Sequence, residues 1–296
     1  MSQCTSKLSK AVATIYTSTS SCIFENLAFE ELLFRTSRID DTHHSLLVWS
    51  NRPAVVIGRH QNTWLEVDTE YATKNGIKVV RRHSGGGAVF HDQGNLNISL
   101  FTTHAHHCRP ENLSFISESL NTAFPSVNVI PNKRDDMELH PGPRKCSGTA
   151  ARIARGLAYH HLTLLVDADL TTLSRSLKSP YKDQIETTAT QSVRAPAVGC
   201  LSQDVVGGVD VRDVRRIIVD AFRQRYAKSE VREIDVARIV GSDAKAAAIL
   251  SELRDWRWIY GKSPKFVFRK TVNVKDGVII DGPDFVGKQF NPTMFD

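Results

Sequence analysis

The chain reads as an α+β protein: a mixed, largely antiparallel sheet flanked by helices, with a small C-terminal accessory domain. Three observations predict this. Short runs rich in Val, Ile and Leu, such as residues 54–57 and 96–101, are strand-sized and bounded by turn residues. Segments of helical spacing lie between them, so helices and strands are interleaved along the chain. The composition breaks near residues 230–243, and the stretch 236–296 after the break reads as the accessory domain.

The elements follow in order. Residues 1–24 carry Lys7 and Lys10, many Ser and Thr, and no acid before Glu25. That composition fits either an organelle transit peptide or a disordered terminus. The first and larger domain is expected over 25–235. Residues 25–35 place Leu27, Phe29, Leu32, Leu33 and Phe34 among acids, an amphipathic first helix. Runs 45–49 and 54–57, split by Asn51-Arg52-Pro53, read as a hairpin. Residues 63–75 read as one helix ending at Asn75-Gly76. Strands are expected at 77–82, 88–90 and 96–101, a helix at 112–124 and a short strand at 127–130. Residues 132–143 hold charges and prolines and read as a loop. A strand over 157–166 precedes a helix capped by Asp169. Residues 211–226 form a basic amphipathic helix, 237–254 a further helical region, and 265–280 a hairpin around Lys275-Asp276-Gly277.

The densest stretch is Arg81-Arg82-His83-Ser84-Gly85-Gly86-Gly87, followed by His91-Asp92 and Gly94-Asn95. Glycines let backbone approach a ligand or adopt positive φ. Successive N–H groups in such a bend form an anion nest, and the arginines add charge. No Gly-Lys-Ser/Thr follows, so it is not a P-loop, and the spacing is not that of a dinucleotide fingerprint. His104, His106, His107 and Cys108 are too crowded for a metal set and read as an exposed loop, so no metal site is expected.

A net charge of +6 suits anionic ligands or an acidic protein partner, but the basic residues are too dispersed to point to nucleic acid. The five cysteines are scattered, which favours a reducing compartment over a disulfide framework. No apolar run reaches the length of a membrane span.

Several motifs resemble those of one family. Val56-Ile57-Gly58-Arg59-His60-Gln61-Asn62 is similar to its first motif and the triglycine stretch to its second. Lys145-Cys146-Ser147-Gly148-Thr149-Ala150 and Ala158-Tyr159-His160-His161-Leu162-Thr163 resemble the third and fourth, and residues 256–266 the start of its accessory domain. The family is that of lipoate–protein ligases and mitochondrial lipoyltransferases. The resemblance implies the catalytic fold shared with biotin protein ligases, and an accessory domain that is shortened here. It also implies transfer of a lipoyl group, from lipoyl-AMP or a lipoylated carrier, to one lysine of a carrier domain.

By that resemblance Lys145 is the catalytic cation. Trp49, Arg82, Ser84, Gly85, Gly86, Gly87, Val89, His91, Asp136, Ser147, Gly148, Thr149, Ala150, Arg152, His161 and Thr163 are expected on lipoyl-AMP. Asp135 replaces an asparagine common in bacterial ligases. No permanently bound cofactor is expected; lipoyl-AMP is substrate, and Mg²⁺ with ATP enter only if the chain also adenylates. The implied partners are apo lipoyl domains of 2-oxoacid dehydrogenase E2 subunits and the glycine-cleavage H protein, met by a monomer in the mitochondrion. Three activities remain open: a transferase, a full ATP-dependent ligase, and a non-catalytic lipoyl- or carrier-binding protein.

Overall fold

The computed structural model describes residues 11–295. In chain order the elements are β1 (Val12–Ser18), α1 (Ile23–Thr36), β2 (His43–Trp49), β3 (Ala54–Ile57), α2 (Thr63–Glu66), α3 (Thr69–Lys74), β4 (Lys78–Arg81), β5 (Val89–His91) and β6 (Asn95–Thr103). Then come α4 (Arg109–Ala123), β7 (Val129–Pro131), β8 (Met137–Leu139), β9 (Arg144–Lys145), β10 (Ser147–Ala154), β11 (Leu157–Leu165), α5 (Leu170–Ser176) and β12 (Ile185–Thr187). The chain ends with α6 (Val211–Gln224), β13 (Lys228–Ile234), α7 (Val236–Ser242), α8 (Ala244–Arg254), β14 (Phe266–Phe268), β15 (Val272–Lys275) and β16 (Val278–Asp281).

A six-stranded mixed sheet in the order β10-β11-β6-β2-β1-β13 organises the molecule. Its pairings are antiparallel from β10 to β2 and parallel from β2 to β13. Side chains alternate across it, so Leu46, Val48, Ile98, Leu100, Leu162 and Leu164 share one apolar core with Leu113 and Leu120 of α4 and Ile218 and Phe222 of α6. Leu47, Trp49, Phe101 and Tyr159 turn the other way, toward α1, α7 and α8.

Several expectations need correction. A leader or disordered terminus over 1–24 does not fit residues 12–18, because β1 pairs on both sides inside the main sheet; residues 1–10 lie outside the described residues. Serine and threonine masked a strand whose Ala13 and Ile15 are fully buried. The first helix is not amphipathic: lying between the sheet and the C-terminal helices, it buries Glu30 and Glu31 along with its leucines. The expected hairpin of β2 and β3 does not form. β3 leaves for a three-stranded sheet of order β4-β3-β5, which places the triglycine bend between its two outer strands.

Residues 63–75 break into two helices at Val67-Asp68, and residues 237–254 break at Asp243, which caps α8. The loop expected at 132–143 contains β8, paired between β7 and β9. A C-terminal sheet is present as expected, and the chain after 235 also packs on the main core. Val236, Ile249 and Leu253 pack into the same core as Leu27 and Trp49, and β12 from the preceding region edges the C-terminal sheet of order β12-β14-β15-β16.

Candidate active site

The site lies on the sheet face covered by α1. Strand register sets its floor as two cross-strand rows: Trp49–Asn97–Thr163–Gly148, then Leu47–Ser99–His161–Ala150. Above these rows a small cavity is bounded by Leu27, Val56, Arg82, Val89 and His91. Its exposed lining is largely apolar, with the polar groups of Arg82, His91, Asn97 and His161 set into it.

Val89, Gly148, Thr149 and Thr163 also line a neighbouring open cleft that holds Gly86, Gly87, Asp136 and Lys145. The Lys145 ammonium donates to Asp136 Oδ2 at 2.6 Å, and its side chain keeps 26% of its surface exposed. A cation and a glycine bend thus face one cleft, which shares the wall at Val89, Gly148, Thr149 and Thr163 with the apolar cavity. Asp135, beside this pair, has φ 58°, a conformation that Asp and Asn tolerate better than other side chains. Thr149 Oγ1 donates to its carbonyl at 2.7 Å and joins the β7–β8 hairpin to β10.

The bend is built by close approach. A Cβ on Gly58 would fall 2.0 Å from the Gly86 carbonyl oxygen, and Gly86 itself has φ 87°. The two arginines do not present free forks to a ligand. Arg81 is fully buried and donates to the carbonyls of Gly58, Gln61 and Ile259, which ties the bend to the C-terminal region; burial lowers it to about 9. Arg82 donates to Ser84 Oγ at 2.9 Å and to the carbonyls of Gly85, Gly87 and Val56, and burial lowers it to about 10. Ser84 and Gly85 line neither cavity; they hold Arg82 at the wall.

His91 is pushed down to about 3, mainly by burial, then by Arg82 and His161. It is therefore a neutral ring, 3.0 Å from Asn51 and edge-on to Trp49 at 5.7 Å. Ser147 accepts from the Met137 N–H at 2.7 Å, and Gly148 N–H donates to Thr163 Oγ1 at 2.9 Å, so both fasten the wall. Arg152 stands apart from the other expected ligand residues. It lies one cross-strand row beyond Ala150, opposite Tyr159, lines neither cavity and pairs with Glu31 while its guanidinium rests on Phe34.

A family model, the lipoyl protein ligase A/B catalytic domain, matches residues 22–223. The chain is 38% identical over 268 residues to the mitochondrial lipoyl amidotransferase LIPT1 of Mus musculus, covering 88% of this chain and 68% of that one, and equally so to its Homo sapiens counterpart. The chain belongs to the lipoate–protein ligase family. Bacterial and yeast relatives named as lipoate-protein ligase A are also similar, for example at 33% identity over 247 residues in Bdellovibrio bacteriovorus, covering 81% of this chain and 70% of that one. Among solved structures the fold is similar to P. falciparum LipL1 in complex with lipoate, with a TM-score of 0.69 at 20% identity, covering 91% of this chain and 83% of that one. It is also similar to lipoate-protein ligase A bound with ATP, at TM-score 0.60 and 24% identity over 84% of this chain and 95% of that one. This family assignment makes the chain an acyl-transferring enzyme of protein lipoylation.

Some residues of this ligase-family site carry no sequence signal of their own. Glu30 and Ser99 reach it from 131 and 69 positions away in the contacts they make, to His161 and to each other. The cue was an acid at an apolar helix position, and Asn97 and Ser99 alternating with Ile98 and Leu100 in a buried strand. A second omission is the strap 190–198 along the cleft. Ser192 Oγ accepts from the Ala88 N–H at 2.8 Å, and Arg194 pairs with buried Glu66 at 3.0 Å. The strap has no strand or helix period, so only its contacts reveal it. Among the described residues no three His, Cys, Asp or Glu groups gather as metal ligands, and no helix is long and apolar enough to cross a membrane.

Proposed function

We propose that the chain transfers a lipoyl group from lipoyl-AMP to a lysine of an apo carrier domain. The observation that supports this is the adjacency of two spaces that share one wall: a largely apolar cavity floored by Trp49 and His161, and an open cleft bearing Lys145 and the glycine bend. The acyl tail occupies the first and the adenylate head the second. The carrier amine attacks the acyl carbonyl; a C–N bond forms, the C–O bond to phosphate breaks, AMP departs with the electron pair, and the amine sheds a proton. Negative charge grows on the carbonyl and phosphate oxygens. Lys145 supplies a fixed cation there, so it favours the transition state over the ground state. Asp136 holds that ammonium in place, and Gly86 and Gly87 admit the phosphate against main chain.

The partners on this reading are apo lipoyl domains of 2-oxoacid dehydrogenase E2 subunits and the glycine-cleavage H protein. The relatives named as amidotransferases favour transfer over full ligation, and their names favour a mitochondrial site of action. The chain acts as a monomer. Cell fractionation and light scattering test the last two statements: a cytosolic protein or a stable dimer would contradict them.

The central test uses purified chain, an apo carrier domain and intact-mass spectrometry. Lipoyl-AMP alone is expected to add one lipoyl mass. Acylation from ATP, Mg²⁺ and lipoate would make it a full ligase. No mass gain from either source, or from a lipoylated carrier, would reduce it to a binding protein.

A further inference from the structure

Beneath the acyl cavity runs a chain of buried hydrogen bonds that ends on one carboxylate. The Trp49 Nε1–H lies 3.3 Å from Ser99 Oγ, and Ser99 Oγ donates to Glu30 Oε1 at 2.5 Å. On the other arm Arg82 Nε donates to Ser84 Oγ at 2.9 Å, Ser84 Oγ lies 2.8 Å from His161 Nε2, and His161 Nδ1 lies 3.0 Å from the same Glu30 oxygen. Both arms have one consistent direction. An ionised carboxylate can only accept. Glu30 therefore accepts from the Ser99 hydroxyl and from the His161 Nδ1–H. In the neutral ring His161 Nε2 then accepts from Ser84, whose Oγ accepts in turn from Arg82.

The charge balance is equally defined. Arg82 is 3% exposed and Glu30 2%. Among the described residues Arg82 bonds only to neutral oxygens, those of Ser84, Gly85, Gly87 and Val56. A buried cation without a counter-charge is costly, and Glu30, joined to it through Ser84 and His161, is that counter-charge.

The geometry points to Glu30 as a positioning residue that fixes the acyl pocket's wall and cancels the charge of Arg82, so that the pocket is selective for an uncharged acyl tail. This rests on the acyl-pocket reading above and deepens it, adding the basis of its selectivity.

Octanamide and its ω-carboxylate, suberic monoamide, differ in charge at the tail end and little in length, so the ratio of their dissociation constants reports the field in the cavity. In Glu30→Gln the amide can still accept from Ser99 and His161, but the charge is gone. The ω-carboxylate is expected to gain about tenfold over octanamide relative to the unmodified chain, as for a lone cation several ångströms away in a protein interior. Glu30→Asp keeps the charge and loses reach, so both ligands should weaken with the ratio unchanged. A purely structural Glu30 would weaken both probes equally in Glu30→Gln, and an unchanged ratio there overturns the proposal. Nitrogen-15 spectra of the histidines in the unmodified chain test it without any variant at Glu30, with His161 assigned through His161→Asn. Neutral His161 protonated on Nδ1 is expected, and a ring protonated on Nε2 overturns the assignment. If the unmodified chain binds neither probe, the acyl-pocket reading itself fails.

Discussion

The two faces of the main sheet are buried alike and built differently. On one, Leu46, Val48, Ile98, Leu100, Leu162 and Leu164 meet α4 and α6 in a continuous apolar core. On the other, the neighbouring positions of the same strands are Trp49, Asn97, Ser99, His161 and Thr163, each less than 13% exposed in the side chain or residue. Period-two alternation makes the contrast possible, since each strand offers one residue to each face. The first face loses apolar surface to water exclusion and needs no partners. The second must satisfy every polar group, because an unpaired buried donor or acceptor costs about 1–3 kcal/mol. Trp49, Ser99 and His161 do so through the chain that ends on Glu30, Asn97 by donating to the Trp49 carbonyl and Thr163 by accepting from the Gly148 N–H. One sheet thus separates the work of stability from the work of binding, and variants on each face should separate them in turn.

The largest effect is expected where the polar face opens into the cleft. Lys145→Ala should lower single-turnover transfer from lipoyl-AMP by about 10²–10³-fold, the scale seen when one preorganised electrostatic group is removed. Lys145 is partly exposed and its ion pair with Asp136 lies at the cleft wall, so the thermal midpoint should stay close to that of the unmodified chain. Transfer within a few-fold of normal in a folded variant would remove Lys145 from the chemistry.

Next in size is the apolar face. Ile98 is fully buried, and Ile98→Ala should cost about 2–5 kcal/mol in chemical denaturation through lost burial and a residual cavity. Its acyl affinity should be unchanged once the folded fraction is accounted for. The adjacent Ser99→Ala should cost less stability, about 1–2 kcal/mol, yet weaken acyl binding, because it cuts Trp49 from Glu30. If both variants changed binding equally, the two faces would not be separable.

This division also explains what could be read before any coordinates. The α+β class, the strand β3, the capped helix after Asp169 and the basic helix α6 come from local periodicity and turn chemistry, which a single chain displays. The motifs located Lys145, Gly86 and His161 through the family resemblance. What was hidden depends on contacts far apart in sequence. The strand β1 is rich in hydroxyl residues and declares itself only by pairing with β2 and β13. Glu30 looks like one acid among several until His161 and Ser99 close on it. Arg152 sits in a matching motif, but strand register carries it one row past the pocket, to Glu31.

The smallest expected effect probes both faces at once, through acid. His91 on the polar side and His160 on strand β11 are each pushed to about 3, and His44 to about 4, with burial the main cause in all three. In the unfolded chain such rings titrate near 6.5. The folded state therefore binds fewer protons than the unfolded state below pH 6.5, and stability must fall as the pH drops through that window; it is fully present above it. Each ring contributes a slope of about 1.4 kcal/mol per pH unit once the unfolded side is protonated. His160→Asn should remove one share of that slope, measured by denaturant titration between pH 7 and 5, and leave acyl affinity at pH 7 untouched. His91 should behave otherwise: a ligand that fills the cavity beside it binds only the fold with the neutral ring, so it should push the folded ring's titration lower and extend the slope to lower pH, leaving it unchanged between pH 7 and 5, where that ring is already neutral. An acid slope between pH 7 and 5 that His160→Asn leaves unaltered would mean that other groups govern acid unfolding and that His160 is not held neutral.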